Sequence, residues 1–199
     1  IVKCVVIQEL DQSHHVVFEW HSKNYFSFDD CDSIAMNSPV NVDWTHANSV
    51  EMDDDGNILL SSRHFDEITK INRSDSSIIW RLGGKRNQFL FTNDTNMFLL
   101  QHDIRRNPSG TISFFDNGRQ NPFHHSSGKE YQLDENNLTA TLVSHFSPDT
   151  NLNSQAMGSF QQLPNGNTVV DYGIEPGIEQ PFDVFDPAGN IQFQISFAD

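Results

Sequence analysis

The chain has 199 residues, of which 36% are hydrophobic and 11% aromatic, enough to build a sizeable buried core. Its 27 acidic and 12 basic residues give a formal net charge of −15, which argues against nucleic acid and anionic membranes as partners. No apolar run approaches the roughly 18 residues that a membrane-spanning helix requires, so no membrane insertion is expected.

Short strand patterns, rich in aromatic and β-branched residues, alternate with polar turns along the chain. One series of turns contains Gly56, Gly110 and Gly166, which are 54 and 56 residues apart. A second series interleaves with the first and consists of the pairs Leu10-Asp11, Ile71-Asn72, Leu133-Asp134 and Phe185-Asp186. Two hairpins per period of about 50 to 60 residues give four strands per repeat, which is the unit of a β-propeller.

The predicted fold class is therefore all-β, a β-propeller of four-stranded blades formed by a single domain over residues 1–199. The predicted divisions are half a blade plus a connector at 1–42 and blades at 43–98, 99–152 and 153–199. Three blades and a hairpin are an incomplete set, because closed propellers usually need about four to eight blades. Since open sheet edges invite association, we expect missing blades or another chain to close them.

Histidines near the start of the inner strand of two repeats are the leading candidates for chemistry. His46 lies ten residues before its turn glycine and His102 lies eight before its own, whereas the third repeat has Ala156 and Gly158 at those offsets. One interpretation is structural: a buried histidine whose hydrogen bonds hold blades together. The other is a ring of imidazole and guanidinium groups in the channel, which suits a tetrahedral oxyanion.

Other polar motifs have simpler interpretations. Residues 53–57 faintly resemble a calcium loop but lack the distal Glu, so a strand turn is predicted. His14-His15 is predicted to be exposed in a hairpin turn, and His124-His125 to lie on a loop surface. Cys4 and Cys31 match no metal motif and fit either one disulfide or two free thiols. No metal site is predicted.

A series of longer motifs follows in order along nearly the whole chain. They are Asp43-Trp44-Thr45-His46-Ala47-Asn48-Ser49-Val50, Leu60-Ser61-Ser62-Arg63-His64, Ile79-Trp80-Arg81-Leu82-Gly83-Gly84, Gln101-His102-Asp103, Phe115-Asp116-Asn117-Gly118 and Gly158-Ser159-Phe160-Gln161-Gln162-Leu163-Pro164-Asn165-Gly166-Asn167. From about Ile7 to Phe197, this series resembles the arylsulfotransferase family. The resemblance implies a six-bladed propeller.

The resemblance also implies an activity: transfer of a sulfuryl group from a phenolic sulfate ester to a phenol through a sulfohistidine, without a nucleotide donor or another cofactor. Carried over by motif, His46 and His102 face the sulfuryl group and Arg119 neutralises its charge. The second choices, for substrate binding, are Arg63, His64, Asn48 and Asn117.

Two further expectations complete the interpretation. Because no histidine follows His145, the alternative function is a catalytically inactive propeller that binds an anion, a phenol or another protein. The acidic composition, the many asparagines and the two cysteines favour export, so a secreted or periplasmic location is expected.

Overall fold

The computed structural model describes residues 1–31, 40–118, 125–147, 153–174 and 182–195, and the all-β prediction is confirmed. The chain forms two compact units, Ile1–Gln88 and Phe89–Asp199. The strands of the first unit are β1 (Val2–Lys3), β2 (Val6–Leu10), β3 (Val16–His21), β4 (Val42–Asp43), β5 (Ala47–Met52), β6 (Ile58–Ser62), β7 (Glu67–Ile71) and β8 (Ile78–Gly83). Those of the second unit are β9 (Leu90–Thr92), β10 (His102–Arg106), β11 (Ile112–Asp116), β12 (Ser127–Asp134), β13 (Thr139–Phe146), β14 (Ser159–Gln162), β15 (Thr168–Asp171), β16 (Phe182–Phe185) and β17 (Ile191–Ile195).

The first unit contains one four-stranded antiparallel meander, the first sheet, in the order β5-β6-β7-β8. A separate hairpin pairs β2 with β3, and the two-residue strands β1 and β4 pair in parallel. Short 3₁₀ segments lie at Ser22–Asn24, Phe28–Asp30 and Arg63–Phe65. Among the described residues, no helix is long and apolar enough to cross a bilayer.

The second unit contains two further meanders. The second sheet runs β10-β11-β12-β13, and the third sheet runs β14-β15-β16-β17. Strand β9 extends the second sheet by pairing in parallel with β13. Three four-stranded meanders and one hairpin thus have the strand count predicted for the repeats.

The two series of predicted turn residues lie at turns and strand ends of the structure. Gly56, Gly110 and Gly166 adopt φ values of 80°, 83° and 84°, a left-handed conformation that glycine reaches without a Cβ penalty. In the second series, β2, β7 and β16 end at Leu10, Ile71 and Phe185, as predicted.

Each unit has its own aromatic-rich core. In the first, Trp20, Phe26, Trp44 and Phe65 pack with Leu60 of β6, and the ring of Phe65 contacts both Phe26 and Trp44 edge-on. Such edge-to-face pairs add roughly 0.5–1.5 kcal/mol each beyond the burial of apolar area. This packing brings Trp44, within residues 43–46, against Phe65, which directly follows residues 63–64.

In the second unit, the third sheet packs on the second through Phe160, which contacts Phe146 and Phe115. A Cβ built at Gly128 would lie 1.9 Å from the Phe160 ring, so only glycine leaves room for that ring. This close approach explains a glycine inside strand β12.

The acidic turn at residues 53–57 is a strand turn, as predicted. Lys70 of β7 places its buried ammonium group 2.8 Å from Oδ2 of both Asp53 and Asp55. A side-chain cation therefore lies between the carboxylates that would otherwise suggest a calcium loop.

Candidate functional site

Two short segments of the first unit meet at one end of the first sheet. One is residues 43–46, which lead from β4 into β5, and the other is residues 63–64, which follow β6. The backbone N–H of Arg63 donates to the carbonyl of His46 at 3.1 Å, and that of His64 donates to the carbonyl of Thr45 at 3.3 Å. These two bonds hold the His46 and His64 side chains next to each other.

The same backbone arrangement recurs in the other two sheets and shows which residues correspond. Gly118 donates to Leu99, and Ile174 donates to Ala156, as His64 does to Thr45. The next residue in each repeat has left-handed backbone: His46 at φ 45°, and Leu100 and Met157 at 59° and 63°. The positive φ of His46 is therefore a property of the repeat and does not by itself indicate catalysis.

His46 is a half-exposed imidazole beside a carboxylate. Its side chain is 38% exposed, and Nδ1 lies 2.8 Å from Oδ2 of Asp43. This contact is close, but it does not have the geometry of a hydrogen bond from Nδ1 within the described parts of the chain. The carboxylate can balance positive charge on the ring, and Nε2 points away from that contact.

His64 is nearly buried, and its tautomer is set by the backbone. Nδ1 lies 2.5 Å from the carbonyl oxygen of Asp43, so Nδ1 carries the proton and donates it to that oxygen. Burial lowers the pKa of His64, the Asp43 carbonyl bond opposes this, and the charges of His46 and Arg63 lower it further. His64 is therefore neutral, with its lone pair on Nε2.

The two imidazoles are close neighbours. Their ring centres lie 4.6 Å apart, and their planes are tilted by 49°. Asp43 contacts both rings, one through its carboxylate and the other through its carbonyl. Arg63 is buried beside them, and its charge acts on His64. Asp43, His46, Arg63 and His64 form what we call the imidazole pair site.

His102, in the second unit, has a different environment. It is buried, and Nδ1 lies 2.7 Å from Oδ1 of Asn117 and 3.0 Å from the carbonyl of Leu100. On the other side of the ring, Nε2 accepts a hydrogen bond from the backbone N–H of Met157 at 3.2 Å. Both ring nitrogens are thus engaged, and the ring connects β10 with the segment before β14.

Asn117 completes that connection. Its Nδ2 donates to Oγ of Ser154 at 3.0 Å and to the carbonyl of Met157 at 2.9 Å. The hydroxyl of Ser126 donates to the Asn117 carbonyl and accepts from the backbone N–H of Ser154, both at 2.7 Å. We call His102, Asn117, Ser126, Ser154 and Met157 the His102 latch, because they fasten the segment before β14 to the second sheet.

The backbone register also separates two histidines that the sequence placed in similar positions. The counterparts of His46 are Leu100 and Met157, whereas His102 lies two residues further on and corresponds to Asn48. The offsets from the turn glycine agree with this register, because His46 and Leu100 both lie ten residues before it and Asn48 and His102 both lie eight before it. The ladder is irregular in both sheets, between Ala47 and Ser49 and between His102 and Arg105, so the count is the same in the two strands.

The remaining predicted residues are distributed between the two units. Asn48 is partly buried in the bulge of β5, and its Oδ1 accepts from the hydroxyl of Ser49. Arg119 and His124 lie outside the described residues. His46, Arg63 and His64 are brought together, as are His102 and Asn117, while the convergence of the two groups on one channel stays a prediction.

Sequence reasoning missed Asp43 as a site residue. The available signal was its spacing, because Asp43 precedes His46 by three residues in a motif already singled out. What the sequence did not show is that β4 turns the carbonyl of the same residue towards His64.

The metal-binding and thiol chemistry of the described residues is limited. They contain no group of three or more His, Cys, Asp or Glu side chains placed to hold a metal ion. Of the alternatives left open for the cysteines, the structure has two free thiols, Cys4 exposed and Cys31 buried.

A family model described as arylsulfotransferase (ASST) matches residues 5–198. The chain belongs to the arylsulfotransferase family. The resemblance inferred from the linked motifs is thereby confirmed, and it supports an arylsulfotransferase-like function in general terms. No curated protein matches this family member at a significant level.

Two solved structures were found in the comparison with this chain, and the first resembles its fold. One is a crystal structure of a protein of unknown function from Bacteroides caccae, with a TM-score of 0.60 and 10% identity over 98% of this chain. The chain spans 60% of that protein's length. The other is hydrazine synthase from Kuenenia stuttgartiensis, with a TM-score of 0.40 and 13% identity over 81% of this chain and 52% of that one. At such identity, the first likeness concerns the fold alone.

Proposed function

We propose that this arylsulfotransferase-family chain moves a sulfuryl group from a phenolic sulfate ester to a phenol, with His46 as the residue that carries the group. The observation that supports this choice is the half-exposed His46 ring, whose Nδ1 lies 2.8 Å from the Asp43 carboxylate. His102 is the weaker candidate, because both of its nitrogens are already engaged in hydrogen bonds.

The chemistry needs a lone pair that can reach sulfur. In the proposed reaction, Nε2 of His46 forms a bond to sulfur while the bond from sulfur to the donor aryl oxygen breaks. The ring then carries positive charge, which the neighbouring Asp43 carboxylate offsets as a carboxylate does for an imidazolium. The acceptor oxygen next bonds to sulfur, and the electrons of the N–S bond return to His46.

Charge on the sulfuryl oxygens also needs compensation. Arg63 supplies a fixed positive charge beside the two imidazoles. We propose that the three meanders and the hairpin are blades of a six-bladed propeller, and that His102 and Arg119 face the same channel. In that arrangement Arg119 neutralises the transferring group, while the latch holds His102 in place.

Turnover with a chromogenic donor tests the proposal. The full-length protein is incubated with p-nitrophenyl sulfate and a phenol, and nitrophenol release and the sulfated acceptor are both measured. We expect both products from the wild type and none from His46→Asn, since Asn tolerates the left-handed backbone but cannot carry the group. His15→Asn is a matched control, because His15 is an exposed histidine whose Nδ1 lies 3.3 Å from a carboxylate oxygen of Asp11.

Peptide mass analysis after rapid acid-free quenching locates the carrier. A sulfuryl group on the peptide that contains His46 supports the proposal. A sulfuryl group on the His102 peptide alone, or nitrophenol release undiminished in His46→Asn, refutes His46 as the carrier.

A binding module without turnover is the second candidate, and the His102 latch favours it. That histidine has a structural environment, and the third repeat places Met157 at the position of His46. Calorimetry with an aryl sulfate separates the candidates: heat of binding without release of nitrophenol supports the module, and turnover excludes it.

A further inference from the structure

His64 has the geometry of a base beside a carrier. Its Nδ1–H is directed to the Asp43 carbonyl at 2.5 Å, so the lone pair is fixed on Nε2. Nε2, on the other side of the ring, is therefore the nitrogen that can accept a proton. Its ring centre lies 4.6 Å from that of His46.

Burial of the ring is the main reason that His64 is unprotonated. The groups that face it are Asp43, which favours the imidazolium form through its carbonyl and its carboxylate, and His46 and Arg63, which disfavour it. Burial of the ring outweighs the contribution of Asp43, so the pKa of His64 is lowered. A neutral imidazole is what proton abstraction near neutral pH requires.

We propose that His64 is the general base that deprotonates the acceptor phenol, an inference that rests on the sulfuryl transfer proposed above. A phenol has a pKa of about 10 and attacks sulfur poorly while it keeps its proton. As the phenol oxygen bonds to sulfur, its proton moves to Nε2 of His64, and the N–S bond breaks with its electrons returning to His46. His64 then releases this proton to solvent. In the preceding half-reaction the aryl oxide leaves with the electrons of its S–O bond, and His64 stays neutral.

The same arrangement gives Asp43 a second part as a positioning residue. Its carbonyl sets the tautomer of His64 while its carboxylate faces His46. One residue thus orients the base and balances the charge on the carrier.

The test compares an acceptor phenol that keeps its proton with one that is already ionised. His64→Gln is compared with the wild type after charging with p-nitrophenyl sulfate, rapid removal of nitrophenol and addition of an acceptor at mildly alkaline pH. Phenol keeps its proton under these conditions, whereas p-nitrophenol is ionised. We expect transfer to phenol to fall by about 10²- to 10⁴-fold, and transfer to p-nitrophenol to fall far less.

Two further measurements separate a base from a structural residue. The acid limb in the pH dependence of transfer to phenol disappears in His64→Gln, and added imidazole restores transfer to phenol in His64→Ala. An equal loss for both acceptors, with no imidazole rescue, overturns the assignment. Failure of the wild type to become sulfurylated on His46 overturns the proposed carrier itself, and with it this inference.

Discussion

Each unit has a histidine near the start of the first strand of a meander, and the two histidines have opposite environments. His46 in the first unit is 38% exposed, contacts a carboxylate and lies beside a second imidazole. His102 in the second unit is buried, with Asn117 on one ring nitrogen and the Met157 N–H on the other. The same residue type thus suits chemistry in one unit and cross-linking in the other, and the hydrogen bonds distinguish the two roles.

The positions of the buried ions also differ between the two sheets. At the end of β11, buried Asp116 lies 3.3 Å from the ammonium group of Lys129. Their ladder counterparts in the first sheet are neutral, Ser62 and Thr69. In the first sheet the buried ions lie on the neighbouring strands instead, where Arg81 contacts Glu67, the ladder partner of Ser62.

The sharpest test of this comparison is the effect of equivalent substitutions on activity. His46→Asn is expected to lower sulfuryl transfer by more than about 10³-fold, because it removes the carrier. Its free energy of unfolding should stay within about 0.5 kcal/mol of wild type, since the side chain is half exposed. Initial rates and urea denaturation measure both. Activity lost in His102→Asn but kept in His46→Asn would reverse the assignment of roles.

The buried ions of the second unit give the largest expected effect on stability. Lys129 is 3% exposed and lies 2.7 Å from Asp94, whose Oδ2 also accepts from the hydroxyl of Tyr131. Lys129→Met leaves two carboxylates without their ammonium group and should cost about 3–5 kcal/mol. Chemical denaturation checks this against Lys23→Met, an exposed lysine for which the change should be below about 0.5 kcal/mol. Similar losses of stability in both variants would mean that the buried ion pairs of Lys129 do not stabilise the second unit.

The His102 latch should have a smaller effect on stability. His102→Ala removes the hydrogen-bond partner of the Met157 N–H and of Oδ1 of Asn117, which costs about 1–3 kcal/mol in the free energy of unfolding. If the Met157 amide exchanges faster in His102→Ala than in wild type while the amides of β11 do not, the loss of stability lies at the His102 latch. A stable variant with unchanged exchange would mean that the ring does not fasten this segment.

Much of the fold could be predicted because strands and turns leave local signals. Turns that need left-handed backbone are indicated by Gly56, Gly110 and Gly166, and alternating apolar residues indicate the strands between them. Strand β9 could not be predicted, because its three residues gain their partners from β13, far along the chain. The sequence pattern within a short segment does not show pairing with a strand that is distant in the sequence.

The candidate site could be predicted only in part, for the same reason. The linked motifs identified His46, Arg63 and His64, but grouping His46 with His102 overlooked their different offsets from the turn glycine. His102 lies eight residues before its glycine, as Asn48 does, and the backbone hydrogen bonds place it at the position of Asn48. Asp43 was missed because half of its role comes from its backbone carbonyl, which every residue has.

The smallest expected effect is the contribution of His64 to the pH dependence of stability. Its pKa is lowered in the folded protein by burial, so the unfolded chain, with a value near 6.5, binds the proton first as pH falls. The contribution of His64 to stability is therefore complete above pH 6.5 and is lost as pH falls through the lower folded value. Denaturation at a series of pH values should show a shallower decline in His64→Gln than in wild type. His102 is present in both proteins, so the difference between the two curves of unfolding free energy against pH comes from the imidazole pair site. Parallel curves would mean that His64 is as exposed as an ordinary surface histidine.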